Sequence, residues 1–61
     1  MPVITFEMSP MSKKQKQEIV KGFTETATRV TGIPQEAFYV LIHENAAENV
    51  GVGGKLLSDM E

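Results

Sequence analysis

The run Phe38, Tyr39, Val40, Leu41, Ile42, His43 is almost continuously apolar, and it limits what this chain can become more than any other segment does. A strand apolar on both faces is normally covered on both. The sequence offers one helix for that purpose. Ile19, Val20, Phe23, Ala27 and Val30 recur at spacings of three and four, while Lys13, Lys14, Lys16, Gln17, Lys21, Glu25 and Thr28 occupy much of the remainder. One amphipathic helix covers one face, so the other is expected to lie against a second subunit. Size leads to the same place. A chain of 61 residues is one domain that buries only about 60% of its unfolded surface. Small folds make up that deficit with disulfides, a structural metal or association. With no cysteine and a single histidine, His43, association is the route that remains.

Local signals set the order of elements. Residues 2–8 alternate, with Ile4, Phe6 and Met8 on one side and Val3, Thr5 and Glu7 on the other, which predicts a first strand. Ser9, Pro10, Met11 and Ser12 break it. Ser12 with Gln15 three residues on forms a capping box and starts the helix near Lys13. Gly22 within the helix costs about 1 kcal/mol relative to alanine and is read as a close approach of another backbone. Gly32 and Pro34 end the helix near Thr31. Residues 35–37 are too few for a full element, and residues 38–43 form the second strand. A polar loop over 44–49 leads to Val50-Gly51-Val52-Gly53-Gly54, a tight turn or small hairpin feeding a last segment, 55–60. Two strands joined by a helical crossover are most simply parallel and right-handed. The expected fold class is α+β: a short β-α-β subunit with a C-terminal hairpin or turn, one domain over residues 1–61, working as an oligomer.

Several function classes are set aside. The formal net charge is −2, and the six Lys and Arg are spread along the chain apart from the cluster Lys13, Lys14, Lys16, so an extended nucleic-acid surface is not expected. No basic and apolar leader opens the chain, and no apolar run approaches the roughly 18 residues of a membrane span. A soluble, cytoplasmic protein is the expectation. His43 has no second histidine or cysteine with which to build a metal site, and a structural hydrogen bond is the favoured reading. Ser9, Ser12 and Ser58 lack a nucleophile-elbow context. Gly51-Val52-Gly53-Gly54-Lys55 fails the phosphate-loop spacing, because Leu56 stands where a hydroxyl is required. Turn geometry explains those glycines.

Chemistry has one candidate, Pro2. A small residue after the initiator favours removal of Met1, which leaves proline as a secondary amine with no amide attached. An ordinary α-amino group titrates at roughly 7.7 to 8.0. A secondary amine is more basic, and burial in an apolar pocket lowers either. A neutral amine near pH 7 takes a proton from one position of a carbonyl compound and returns it at another, so that one group serves as both base and acid.

Pro2 opening the first strand, the helix start Ser12-x-x-Gln15-Lys16, the apolar strand ending Val40-Leu41-Ile42-His43-Glu44, and Gly51-Val52-Gly53-Gly54-Lys55-Leu56 occur in an order and spacing that resembles the 4-oxalocrotonate tautomerase family from end to end. The resemblance implies β-α-β subunits that pair through their sheets and assemble as hexamers. It also implies a proline amine that shuttles a proton between enol and keto forms of a small unsaturated 2-oxo or 2-hydroxy acid, with neither metal nor organic cofactor. In such enzymes two arginines and a phenylalanine hold and polarise a dicarboxylate. Here those positions fall at Met11, Tyr39 and Val50. Loss of two guanidiniums removes the bidentate carboxylate clamps and most of the polarisation of the carbonyl.

Met11, Tyr39 and Val50 are therefore the candidate substrate-binding residues. Tyr39 offers a hydroxyl to a substrate oxygen or an aromatic ring to a subunit contact. Met11 and Val50 offer apolar walls that desolvate Pro2, or simple packing. Arg29, Lys14 and Lys55 are read as solvated surface charge. Two alternatives stand beside the tautomerase: a related hydratase or dehalogenase that uses the same proline, and a non-catalytic assembly protein of the same fold. The arginine vacancies also leave open a hetero-oligomer in which a different chain supplies the cations.

Overall fold

The computed structural model describes residues 1–60. Strand β1 (Val3–Met8) leads to helix α1 (Lys13–Thr31), which returns through a 3₁₀ turn at Gln35–Ala37 to strand β2 (Tyr39–Glu44). The strands pair in parallel with Val3 opposite Tyr39, Thr5 opposite Leu41 and Met8 opposite Glu44. A second 3₁₀ turn, Ala47–Asn49, precedes an antiparallel hairpin of β3 (Gly51–Val52) and β4 (Lys55–Leu56), and a third, Leu57–Asp59, follows it. Gly53 and Gly54 both have positive φ, 60° and 86°, the two-residue turn that glycine adopts without strain and that matches strand twist. The two strands and the hairpin agree with the expected β-α-β subunit.

The helix begins and ends where its caps dictate. The Gln15 N–H donates to Ser12 Oγ at 3.2 Å and the Ser12 N–H donates to Gln15 Oε1 at 3.1 Å, completing the capping box. Gly32 closes the helix at φ 77°, its N–H donating to the Thr28 carbonyl at 2.9 Å. Lys16, Ile19, Val20, Phe23, Thr24, Ala27 and Thr28 are half-buried along one stripe. They cover the sheet face formed by Ile4, Phe6, Val40 and Ile42, also half-buried. Phe6 and Phe23 meet edge to face, centroids 5.2 Å apart at 83°, a favoured aromatic geometry.

One helix expectation needs correction, and a second is not met within the chain. Val30 is 70% exposed, although seven residues bring it back to nearly the azimuth of Phe23. The cause is length: 19 residues of helix run about 28 Å, whereas a six-residue strand covers about 20 Å. The last turn overruns the sheet. Gly22 has nothing within 4 Å of the position a Cβ would take, so no backbone approaches it within the chain.

The opposite sheet face is bare. Val3, Tyr39 and Leu41 are 46%, 53% and 46% exposed, and Thr5, Glu7 and His43, on the same face in the strand register, are exposed beside them. No described residue is fully buried. The hairpin does not fold back to help, since residues 51–60 are all exposed. The chain measures 43 × 24 × 15 Å with a Cα radius of gyration of 14.8 Å, against about 10.5 Å for a compact chain of this length. Its accessible surface is 4785 Å², against about 3900 Å² for a folded monomer of this mass.

Candidate active site

Pro2 stands one residue before β1 and is half-buried. Its carbonyl accepts the Tyr39 N–H at 3.0 Å, which carries the ladder one bond beyond the strand. This bond fixes the Pro2 backbone from its carbonyl side. Met1 is 83% exposed, so the peptide bond before Pro2 is at the surface. Tyr39 lies beside Val3 on the bare face. Pro2 and Tyr39 are thus brought together at one end of the sheet.

Met11 and Val50 lie at the other end. Asn45 donates its N–H to the Met8 carbonyl at 2.7 Å, turning the chain beyond β2 over the end of β1. Met11, half-buried, donates its N–H to Glu44 Oε2 at 2.8 Å, and Lys16 Nζ reaches Glu44 Oε1 at 2.7 Å. The lysine hydrogen bond, then the Met11 amide, hold the Glu44 carboxyl below its ordinary range of about 4.5. Val50 is half-buried; its N–H donates to the Ala47 carbonyl at 3.3 Å and its carbonyl accepts the Leu57 N–H at 2.8 Å. An open groove of about 650 Å³ runs here, lined among others by Glu7, Met8, Asn45, Asn49, Val50 and Leu57. Asn45 Nδ2 donates to Glu7 Oε1 at 3.2 Å.

Six residue steps of extended chain separate Pro2 from Met8, about 20 Å. Within one copy, Met11 and Val50 therefore cannot wall Pro2, and the four sequence-derived candidates divide into two pairs. Sequence reasoning missed Glu7 and Asn45 as groove residues. The alternation of β1 already placed Glu7 on the face away from the helix, but the turn that brings Asn45 to it has no local signature. Lys14, Arg29 and Lys55 are exposed, and Lys16–Glu44 is the single ion pair among the described residues. No cluster of three metal-ligating side chains occurs among them, and no helix is long and apolar enough to cross a membrane.

A β-α-β unit with a proline at the head of its first strand and a glycine hairpin arm has the architecture of small tautomerase-fold subunits. The family model described as tautomerase enzyme matches residues 2–60, and the chain belongs to that family. A probable tautomerase of Lactiplantibacillus plantarum is 32% identical over 62 aligned positions, which span 100% of this chain and 97% of that protein. Among solved structures, DmpI from Archaeoglobus fulgidus superposes with a TM-score of 0.86 at 41% identity, covering 95% of this chain and all of the other. YwhB, described as a homologue of 4-oxalocrotonate tautomerase, gives 0.90 at 36% identity over 98% of this chain and all of that one.

Proposed function

We propose that this protein is an enol–keto tautomerase in which Pro2, freed of Met1, carries the proton. The observation that supports this reading is the setting of Pro2, with its carbonyl tied to the Tyr39 amide and the peptide bond on its other side at the surface. Removal of Met1 would leave a secondary amine at the head of a fixed strand. In a 2-hydroxy dienoate that amine accepts the hydroxyl proton while the oxygen electrons form the carbonyl. The resulting ammonium then delivers the proton to a carbon of the conjugated chain, and the amine is regenerated. The substrate class is a small unsaturated 2-oxo or 2-hydroxy acid.

The division of Met11 and Val50 from Pro2 and Tyr39 favours a site made by two copies. Stacking bare faces antiparallel covers Val3, Tyr39 and Leu41. It also sets the Pro2 end of one copy over the groove of the other, where Val50 and Leu57 stand. Apolar walls there lower the amine pKa by desolvation, and the Tyr39 hydroxyl is available to a substrate oxygen. A homo-oligomer follows, and a cytoplasmic hexamer is the assembly that the family resemblance favours.

The test is ketonisation of 2-hydroxymuconate and enol-phenylpyruvate, followed by ultraviolet absorbance. It uses protein with mass-verified loss of Met1 beside the Pro2→Ala variant. A rate that disappears in the variant supports Pro2 as the proton carrier. No rate above buffer in the processed protein would turn the reading toward an assembly protein or a missing partner chain, and water addition or halide release toward the hydratase or dehalogenase.

A further inference from the structure

Among the described residues, the groove beside Val50 has one charged lining residue, Glu7. Its carboxylate is held by the Asn45 amide at 3.2 Å, and Glu7 lies on the bare face because it pairs with His43 in the register that also joins Val3 to Tyr39. The remaining lining is neutral: Met8, Val50 and Leu57 are apolar, and Asn45 and Asn49 are uncharged. Lys16, the lysine that forms an ion pair at this end of the sheet, is committed to Glu44 at 2.7 Å. Glu44 shares the register parity of Ile4, Phe6 and Ile42, the face turned to the helix. The groove thus presents a negative charge among apolar and uncharged polar walls, with no Lys or Arg lining it among the described residues.

We propose that Glu7 is the specificity-determining residue of the site and selects a monocarboxylate substrate whose far end is uncharged. This rests on the tautomerase reading and on the antiparallel pairing of two copies. With the reacting carbon at Pro2, the far end of the substrate extends over the partner's groove toward the partner's Glu7. A second carboxylate placed there meets a like charge in partly desolvated surroundings, where Coulomb energies exceed those in bulk water. A hydroxyl or amide at the same place donates a hydrogen bond to Glu7, and an aromatic or aliphatic tail packs on Met8 and Val50.

A matched pair of probes reads this out: enol-phenylpyruvate and its 4-carboxy derivative, which differ only in a carboxylate at the far end. The processed wild type is expected to favour the parent enol in kcat/KM. In Glu7→Gln the preference should fall by about five- to tenfold, the scale of a single charge contact at intermediate dielectric, and in Glu7→Lys it should reverse. Intrinsic reactivity of the probes cancels when variants are compared. An independent reading needs no variant: in the wild type, raising salt from about 0.02 to 0.5 M should improve kcat/KM for the dianion relative to the parent, because screening weakens the repulsion. A preference unchanged in both variants, or a relative rate for the dianion that falls with salt, overturns the role of Glu7 while leaving the tautomerase reading intact. Absence of turnover of both probes and of 2-hydroxymuconate by the processed wild type overturns both.

Discussion

The Glu44 carboxylate accepts the Met11 N–H at 2.8 Å, tying the turn after β1 to the last residue of β2. The same carboxylate binds Lys16 at 2.7 Å, so one side chain joins both strand ends to the first turn of α1. Among the described residues, no other hydrogen bond fixes the Met11 N–H.

This contact makes stability depend on pH with a defined sign. A carboxyl whose folded pKa lies below its unfolded value contributes stability that is present above the unfolded value. That contribution is lost as pH falls through the folded pKa. For Glu44 the loss begins near the ordinary value of 4.5 and continues below it. Thermal midpoints measured from pH 7 to pH 3 should fall more steeply in the wild type than in Glu44→Gln, which should already be less stable at pH 7. Parallel curves would show that the pair contributes no net stability.

The bare sheet face should respond to charge. Leu41 is 46% exposed in the single copy and stands in the middle of β2. Burying a leucine fully is worth about 1.5 to 3 kcal/mol, and a two-fold interface counts the change twice. Leu41→Lys is expected to shift the assembly toward smaller species by native mass spectrometry at micromolar protein, with helix content retained at high concentration. An unchanged mass distribution would mean that another surface holds the copies together.

The helix start supplies a local test. Ser12 Oγ accepts the Gln15 N–H at 3.2 Å, and loss of such a cap costs about 1 kcal/mol. Ser12→Ala should lower stability in denaturant by that amount, Ser12→Asp should restore most of it, and neither should alter the oligomer.

What was legible in the sequence follows the range of each interaction. The capping box and Gly32 act within a few residues, and α1 starts and stops where they predict. The alternation of β1 gave the face of Ile4 and Phe6 for the same reason. Val30 was misread because periodicity reports azimuth and not where the sheet beneath runs out. Gly22 meets no neighbouring backbone within the described chain, since a glycine in a helix carries no information about which neighbour it would admit. The candidate site residues could be named from the sequence but not placed, because Pro2 with Tyr39 and Met11 with Val50 occupy opposite ends of the sheet. Glu7 entered only through Asn45, a contact across 38 residues with no sequence signature.

Thr28 departs from the usual behaviour of helical threonines, whose hydroxyls back-bond to the carbonyl one turn earlier. Thr31 does so, donating to the Ala27 carbonyl at 2.7 Å. Thr28 Oγ1, by contrast, is buried without a hydrogen-bond partner among the described residues, although its stripe packs on the sheet. A hydroxyl removed from water with no partner costs about 1 to 3 kcal/mol, and valine has the same shape without that group. Thr28→Val should therefore raise stability in denaturant by about 1 kcal/mol, since the two residues have similar helix propensity. Thr28→Ala should gain less, because deleting the methyl as well opens a void against the sheet. A Thr28→Val protein less stable than wild type would place a partner for this hydroxyl in a neighbouring copy, and the same variant would then weaken assembly in native mass spectrometry.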